Sequence, residues 1–113
     1  MDDHEIELRL RWRHTWEDGG DDYVAEASGS GFDGPVGRIY RHEHGTKQSQ
    51  WTWSMTAHGA EVSRNFGPLH GEEPTPRRAA YEVERAWSKA IEGTSLARPE
   101  TMVNAYAAAK GRG

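Results

Sequence analysis

Residues 5–13 read EIELRLRWR, in which apolar and charged side chains alternate without a break. Ile6, Leu8, Leu10 and Trp12 fall on one face of an extended strand, and the charged residues fall on the other. The pattern predicts a first strand over residues 5–13. Its apolar face needs a covering layer, because a half-apolar strand cannot bury that face alone.

Three further segments have the composition of strands. Residues 23–27, 36–42 and 50–57 are rich in β-branched and aromatic side chains, and turn residues separate them. In the last segment Trp51, Trp53, Met55 and Ala57 share one face. We expect an antiparallel sheet of about four strands, with a brief fifth strand over residues 62–66.

A long amphipathic helix follows the strands. Thr75 is suited to the N-cap and Pro76 to the first helical position, and Gly93 is suited to a left-handed C-terminal cap. The apolar residues recur at helical spacing, namely Ala79, Ala80, Val83, Ala86, Trp87, Ala90 and Ile91. We therefore predict an α+β fold in which this helix packs on one face of the sheet.

The domain organisation follows from these elements. Residues 1–93 are expected to form a single α+β domain, since 113 residues suffice for one domain and not for two. Residues 94–113 are expected to be a C-terminal extension, partly helical or frayed, with a short helix over 99–109.

Three short motifs resemble a known group of proteins. They are GRIY at residues 37–40, WTWSM at 51–55, and a helix with an alanine pair over residues 75–87. In these features the chain resembles small alphaproteobacterial proteins for which no function is established. The resemblance covers roughly residues 20–92, and it implies a sheet followed by a helix but no activity.

Composition excludes several classes of protein. The chain has no cysteine, so disulfide scaffolds, thiolate nucleophiles and cysteine zinc sites are ruled out. No apolar run approaches the roughly 20 residues that span a bilayer, and the acidic start differs from a signal peptide. We expect a cytoplasmic protein that does not bind membranes.

Charge is distributed unevenly along the sequence. Residues 1–34 contain ten acidic and three basic residues, whereas the whole chain has a formal net charge of −4. Asp18, Asp21 and Asp22 are part of this acidic third, which favours a basic partner. The first functional hypothesis is therefore a non-catalytic protein-binding module that acts as an inhibitor or adaptor. Phage-borne anti-CRISPR inhibitors share this profile by analogy only, and the bacterial or phage origin stays open.

Arginines suggest an alternative function. Arg9, Arg11 and Arg13 fall in a row on the charged face of the first strand, while Arg38 and Arg41 fall on opposite faces of the third. Arginines can bind phosphates bidentately, and exposed tryptophans can stack on bases. The alternative is thus a single-stranded nucleic-acid-binding protein, although the net negative charge opposes it.

Histidines and the open sheet raise two more hypotheses. His42, His44 and His58 could hold a metal ion, but His42 and His44 are more simply a polar hairpin turn. No catalytic motif and no cofactor are predicted, so the protein is not expected to be an enzyme. A sheet covered on one face leaves an open face and free edges, which predicts self-association as a homodimer or binding to a protein partner.

Overall fold

The computed structural model describes residues 3–27, 32, 34–41 and 50–97. These residues form five strands and one α-helix, in the following order: β1 (Arg11–His14), β2 (Asp22–Glu26), β3 (Pro35–Arg41), β4 (Trp51–Met55), β5 (His70–Glu73) and α1 (Pro76–Ala90). Short 3-10 turns lie at Asp3–Glu5 and Ser95–Ala97. The described residues contain no helix with the length and apolar character needed to cross a membrane.

The five strands form one antiparallel meander in the order β1-β2-β3-β4-β5. Helix α1 packs against β3, β4 and β5. The α+β prediction is confirmed, and the number of strands is close to the expected one.

The strand register defines two faces of the sheet. Ile39 pairs with Trp53, and Gly37 pairs with Met55, so these side chains share the face that α1 covers, here called the inner face. Gly37 lies so close to α1 that an added Cβ would meet Cγ1 of Val83. The other face, called the outer face, includes the row Arg13, Val24, Arg38, Ser54 and His70.

The helix forms as its sequence predicts. The Thr75 hydroxyl accepts a hydrogen bond from the Arg78 backbone N–H, and Pro76 occupies the first turn. All seven apolar residues predicted to face inward are buried. Gly93 has a φ of +80°, but the C-cap of α1 is Ile91, so the predicted position of the cap is wrong. With Trp51, Trp53, Met55 and Ala57, which are buried as predicted, the seven apolar residues make up most of the core.

The first strand is shorter than its pattern predicts, because β1 begins at Arg11 and not at residue 5. The backbone N–H groups of Arg9 and Leu10 donate to the carboxylate of Glu84 on α1. The alternation still decides burial: Ile6 is buried and Leu8 is half-buried, whereas the intervening Glu7 is exposed.

The prediction of a brief strand over residues 62–66 is wrong. Val62 forms only an isolated bridge to Gly59, and the fifth strand lies instead at His70–Glu73. The sequence HGEE has no strand-forming composition, and its pairing with β4 makes it a strand. The helix predicted over residues 99–109 lies outside the described residues.

Candidate binding surface

Trp16 is the one large hydrophobic side chain left exposed among the described residues, at 58% of its full accessible surface. It follows β1 and opens the turn that leads to β2. Gly19 and Gly20 complete this turn with φ of +85° and +95°, a backbone that glycine adopts without strain. The turn therefore holds an exposed indole at the end of the sheet.

Asp22 fixes this indole in place. Its carboxylate accepts hydrogen bonds from Nε1 of Trp16 at 3.2 Å and from the Thr15 hydroxyl at 2.7 Å. Nε and Nη2 of Arg38 donate to the two oxygens of the same carboxylate, with Nε at 2.8 Å. The Asp22 side chain is only 14% exposed. Four donors thus converge on one largely buried acid, and the Trp16 indole is one of them.

Electrostatics reinforce this arrangement. The hydrogen bonds from Arg38 hold the pKa of Asp22 below its usual range, with further contributions from Thr15 and Trp16. In return, Asp22 raises the pKa of Arg38 above its usual value. Both groups are therefore fully charged at neutral pH.

Arg38 also contacts an aromatic ring. Its guanidinium carbon lies 4.7 Å from the centroid of Tyr40, which is the geometry of a cation–π contact. Arg38 and Tyr40 both project from the outer face, since Arg38 pairs with Ser54 and Tyr40 with Thr52. The outer face thus places Arg, Tyr and Trp side chains close to one another.

Two other arginines predicted to bind a ligand are paired with acids. Arg13 donates to Glu26 at 2.9 Å, and Arg41 lies 2.6 Å from Asp21. Arg41 is in register with Trp51 on the inner face, so Arg38 and Arg41 lie on opposite faces as predicted. Three of the five arginines that were predicted to bind a ligand therefore form ion pairs with neighbouring carboxylates.

The remaining arginines and the remaining aspartate that were predicted to bind a ligand have no side-chain partner within the described part of the chain. Arg9 and Arg11 are exposed, and their side chains form no ion pair with another described residue. Asp18 is exposed in the turn beside Trp16, and its side chain has no such partner either. The tip of the sheet therefore presents an indole beside the uncompensated carboxylate of Asp18.

Sequence reasoning missed Trp16 as a candidate binding residue, together with the contacts of Thr15 and Tyr40. A signal was present: Trp16 lies two residues beyond the end of β1 and precedes the glycine turn at Gly19 and Gly20. The link from Asp22 to Arg38 had no such signal, because it depends on the pairing of β2 with β3.

The predicted histidine site is only partly described. His42 and His44 lie outside the described residues. His58 is exposed, and its Nδ1 lies 3.2 Å from the Thr56 carbonyl oxygen. Within the described ranges, no three His, Asp or Glu side chains are placed to share a metal ion.

No protein-family model, no curated protein and no solved structure matches this chain. The resemblance to small alphaproteobacterial proteins therefore stays a prediction. A function can therefore be inferred only from the geometry of the surface around Trp16.

Proposed function

We propose that this protein is a non-catalytic protein-binding module that uses Trp16 as an anchor. The exposed indole, fixed by its hydrogen bond to Asp22, is the observation that carries the proposal. Covering the exposed indole with a partner would remove apolar surface from water, which favours binding. A rigid side chain also loses little conformational entropy on binding.

The surroundings of Trp16 support a protein partner. Protein interfaces draw most of their binding energy from Trp, Tyr and Arg side chains, and here Trp16, Tyr40 and Arg38 lie together on one surface. The exposed carboxylate of Asp18 adds negative charge at the rim. The matching partner has an apolar pocket for the indole and basic residues around it. An inhibitor or adaptor role in the cytoplasm fits this surface.

The alternative function, binding of single-stranded nucleic acid, has one observation in its favour. Arg9 and Arg11 are exposed and form no ion pair with other described residues, and Trp16 could stack on a base. Against it, Arg13, Arg38 and Arg41 each pair with an acid, which reduces the net positive charge that this surface offers to phosphates. A partner protein is therefore the better candidate.

The test compares the full chain with Trp16→Ala and Trp16→Phe. Each protein is immobilised, exposed to alphaproteobacterial lysate, and the retained proteins are quantified by mass spectrometry. A partner should bind the wild type, bind Trp16→Ala at least about 30-fold more weakly, and bind Trp16→Phe with intermediate affinity. Lys89→Ala is the control, because Lys89 is exposed on α1.

The alternative is tested with the same proteins. Mixed-sequence single-stranded DNA and RNA are titrated at low and at higher salt, and tryptophan fluorescence is followed. Quenching that weakens steeply with salt and is lost in Arg9→Ala with Arg11→Ala would support nucleic-acid binding. An identical set of retained proteins for the wild type and Trp16→Ala would contradict the protein-binding proposal.

A further inference from the structure

Residues 3–10, here called the N-terminal arm, lie against α1 outside the sheet. Ile6 is 6% exposed, and Leu8 and Leu10 pack against the core. Between the 3-10 turn at Asp3–Glu5 and the start of β1, the arm belongs to no strand or helix. Side chains of α1 supply the hydrogen bonds that a neighbouring strand would otherwise supply.

Glu84 makes the central contacts to the arm. Its Oε1 accepts from the backbone N–H of Arg9 at 2.7 Å, and its Oε2 accepts from that of Leu10 at 2.9 Å. The same Oε2 accepts from Nε1 of Trp12 in β1, at 2.8 Å. Glu84 therefore binds two successive backbone N–H groups where the arm bends at Leu10, and any segment that bends in the same way at this place offers the same donors.

The start of α1 holds the other end of the arm. Nη1 of Arg77 donates to the Ile6 carbonyl oxygen at 3.1 Å, and Nε of Arg78 donates to Asp3 at 3.0 Å. Basic residues in the first turn of a helix oppose the helix dipole. Arg77 and Arg78 contact the arm, which also carries Glu5 and Glu7, and these contacts account for basic residues at the start of α1. The surface of α1 that holds the arm is basic at the end where the arm is acidic.

We propose that the surface of α1 that holds the arm, here called the groove, is a receptor for a segment of this sequence, and that the arm of a second copy is its occupant in trans. The arm of another copy offers the same N–H groups, the same aliphatic side chains and the same acids as the arm in cis. A tethered segment has an effective concentration of about 1 mM, so the arm in cis fills the groove in dilute solution. Exchange becomes significant as the protein concentration approaches this value. The inference is independent of Trp16.

The first experiment offers the arm to the groove as a separate molecule. The probe is a fluorescein-labelled peptide with the sequence of residues 3–10, DHEIELRL, and binding to the full chain is followed by anisotropy. Leu8→Asp weakens the attachment of the chain's own arm and leaves the groove intact. This variant should bind the peptide at least about tenfold more tightly than the wild type, whose own arm competes.

The second variant removes the receptor. Adding Glu84→Gln to Leu8→Asp should weaken peptide binding at least about tenfold, because two charge-assisted hydrogen bonds are lost. Adding Glu92→Gln to Leu8→Asp is the matched control and should leave the peptide affinity unchanged, since Glu92 lies beyond the end of α1 and pairs with Lys89. If circular dichroism shows that Leu8→Asp is unfolded, Arg9→Pro replaces it, because proline removes the N–H donated to Glu84 and keeps every apolar side chain.

Two results would overturn the inference. The first is equal peptide affinity with and without Glu84→Gln, or no binding up to about 1 mM peptide. The second concerns self-association, measured by light scattering after size exclusion. The wild type should show a dimer fraction that rises with concentration and falls in Glu84→Gln. A wild type that stays monomeric at about 1 mM excludes the second copy as the occupant.

Discussion

Replacing Asp22 by alanine should destabilise the protein measurably. The substitution removes the acceptor of four hydrogen bonds, two of them from Arg38, and leaves the guanidinium without its counter-ion. Hydrogen bonds to charged groups contribute about 1.5–3 kcal/mol each when buried. Arg38 is 42% exposed and Trp16 is more exposed still, so solvent screens part of this energy. We expect a total loss of about 2 kcal/mol.

The assay is urea and thermal denaturation of the full chain, followed by circular dichroism. A loss of about 2 kcal/mol corresponds to a fall in Tm of roughly 8 °C for a domain of this size. Asp18→Ala is the matched control, because Asp18 lies in the neighbouring turn and has no side-chain partner among the described residues. The control should change the free energy of unfolding by less than about 0.5 kcal/mol.

The pH dependence gives a second test of the same contact. The pKa of Asp22 is lower in the folded chain than in the unfolded chain, chiefly because of the hydrogen bonds from Arg38. Its contribution is therefore complete above the unfolded pKa, about 3.9, and is lost as the pH falls through the folded value. The difference between wild type and Asp22→Ala should be constant near neutral pH and shrink below about pH 4. Equal stabilities of Asp22→Ala and Asp18→Ala at pH 7 would refute the reasoning.

Two further perturbations test other parts of the structure. Gly37→Ala should destabilise the fold by about 3 kcal/mol or prevent folding. The added Cβ would meet Val83 and lie 2.6 Å from the Ser54 carbonyl oxygen. A variant with wild-type Tm would contradict the packing of α1 on β3. Burial and the nearby Glu82 raise the pKa of Glu73, so its charged form opposes folding at neutral pH. Glu73→Gln should therefore stabilise the folded chain at pH 7 by less than about 1 kcal/mol, as measured by urea denaturation. The gain in stability should fade as the pH falls through the pKa of Glu73. A loss of stability at pH 7 would be the contrary result.

Local pattern was sufficient to predict much of the fold. The inward residues of α1 and the buried stripe of β4 could be identified because burial repeats with the period of the helix or strand. The N-cap of α1 at Thr75 was also predictable, since it depends on the chemistry of one residue and its immediate neighbours, whereas the C-cap is Ile91 and not the predicted Gly93. These features are local, and a sequence displays them directly.

Only the tertiary structure decided where hydrogen bonds and ion pairs go. The alternation over residues 5–13 predicted a longer first strand, but Glu84, more than 70 residues away, takes the N–H groups of Arg9 and Leu10. In the same way, Arg38 is separated from Asp22 by 16 residues and neutralises it across two strands. The sequence therefore determined which side chains are buried, whereas the fold chose which charges remain free to bind, because ion pairs depend on distances in space that no local spacing sets.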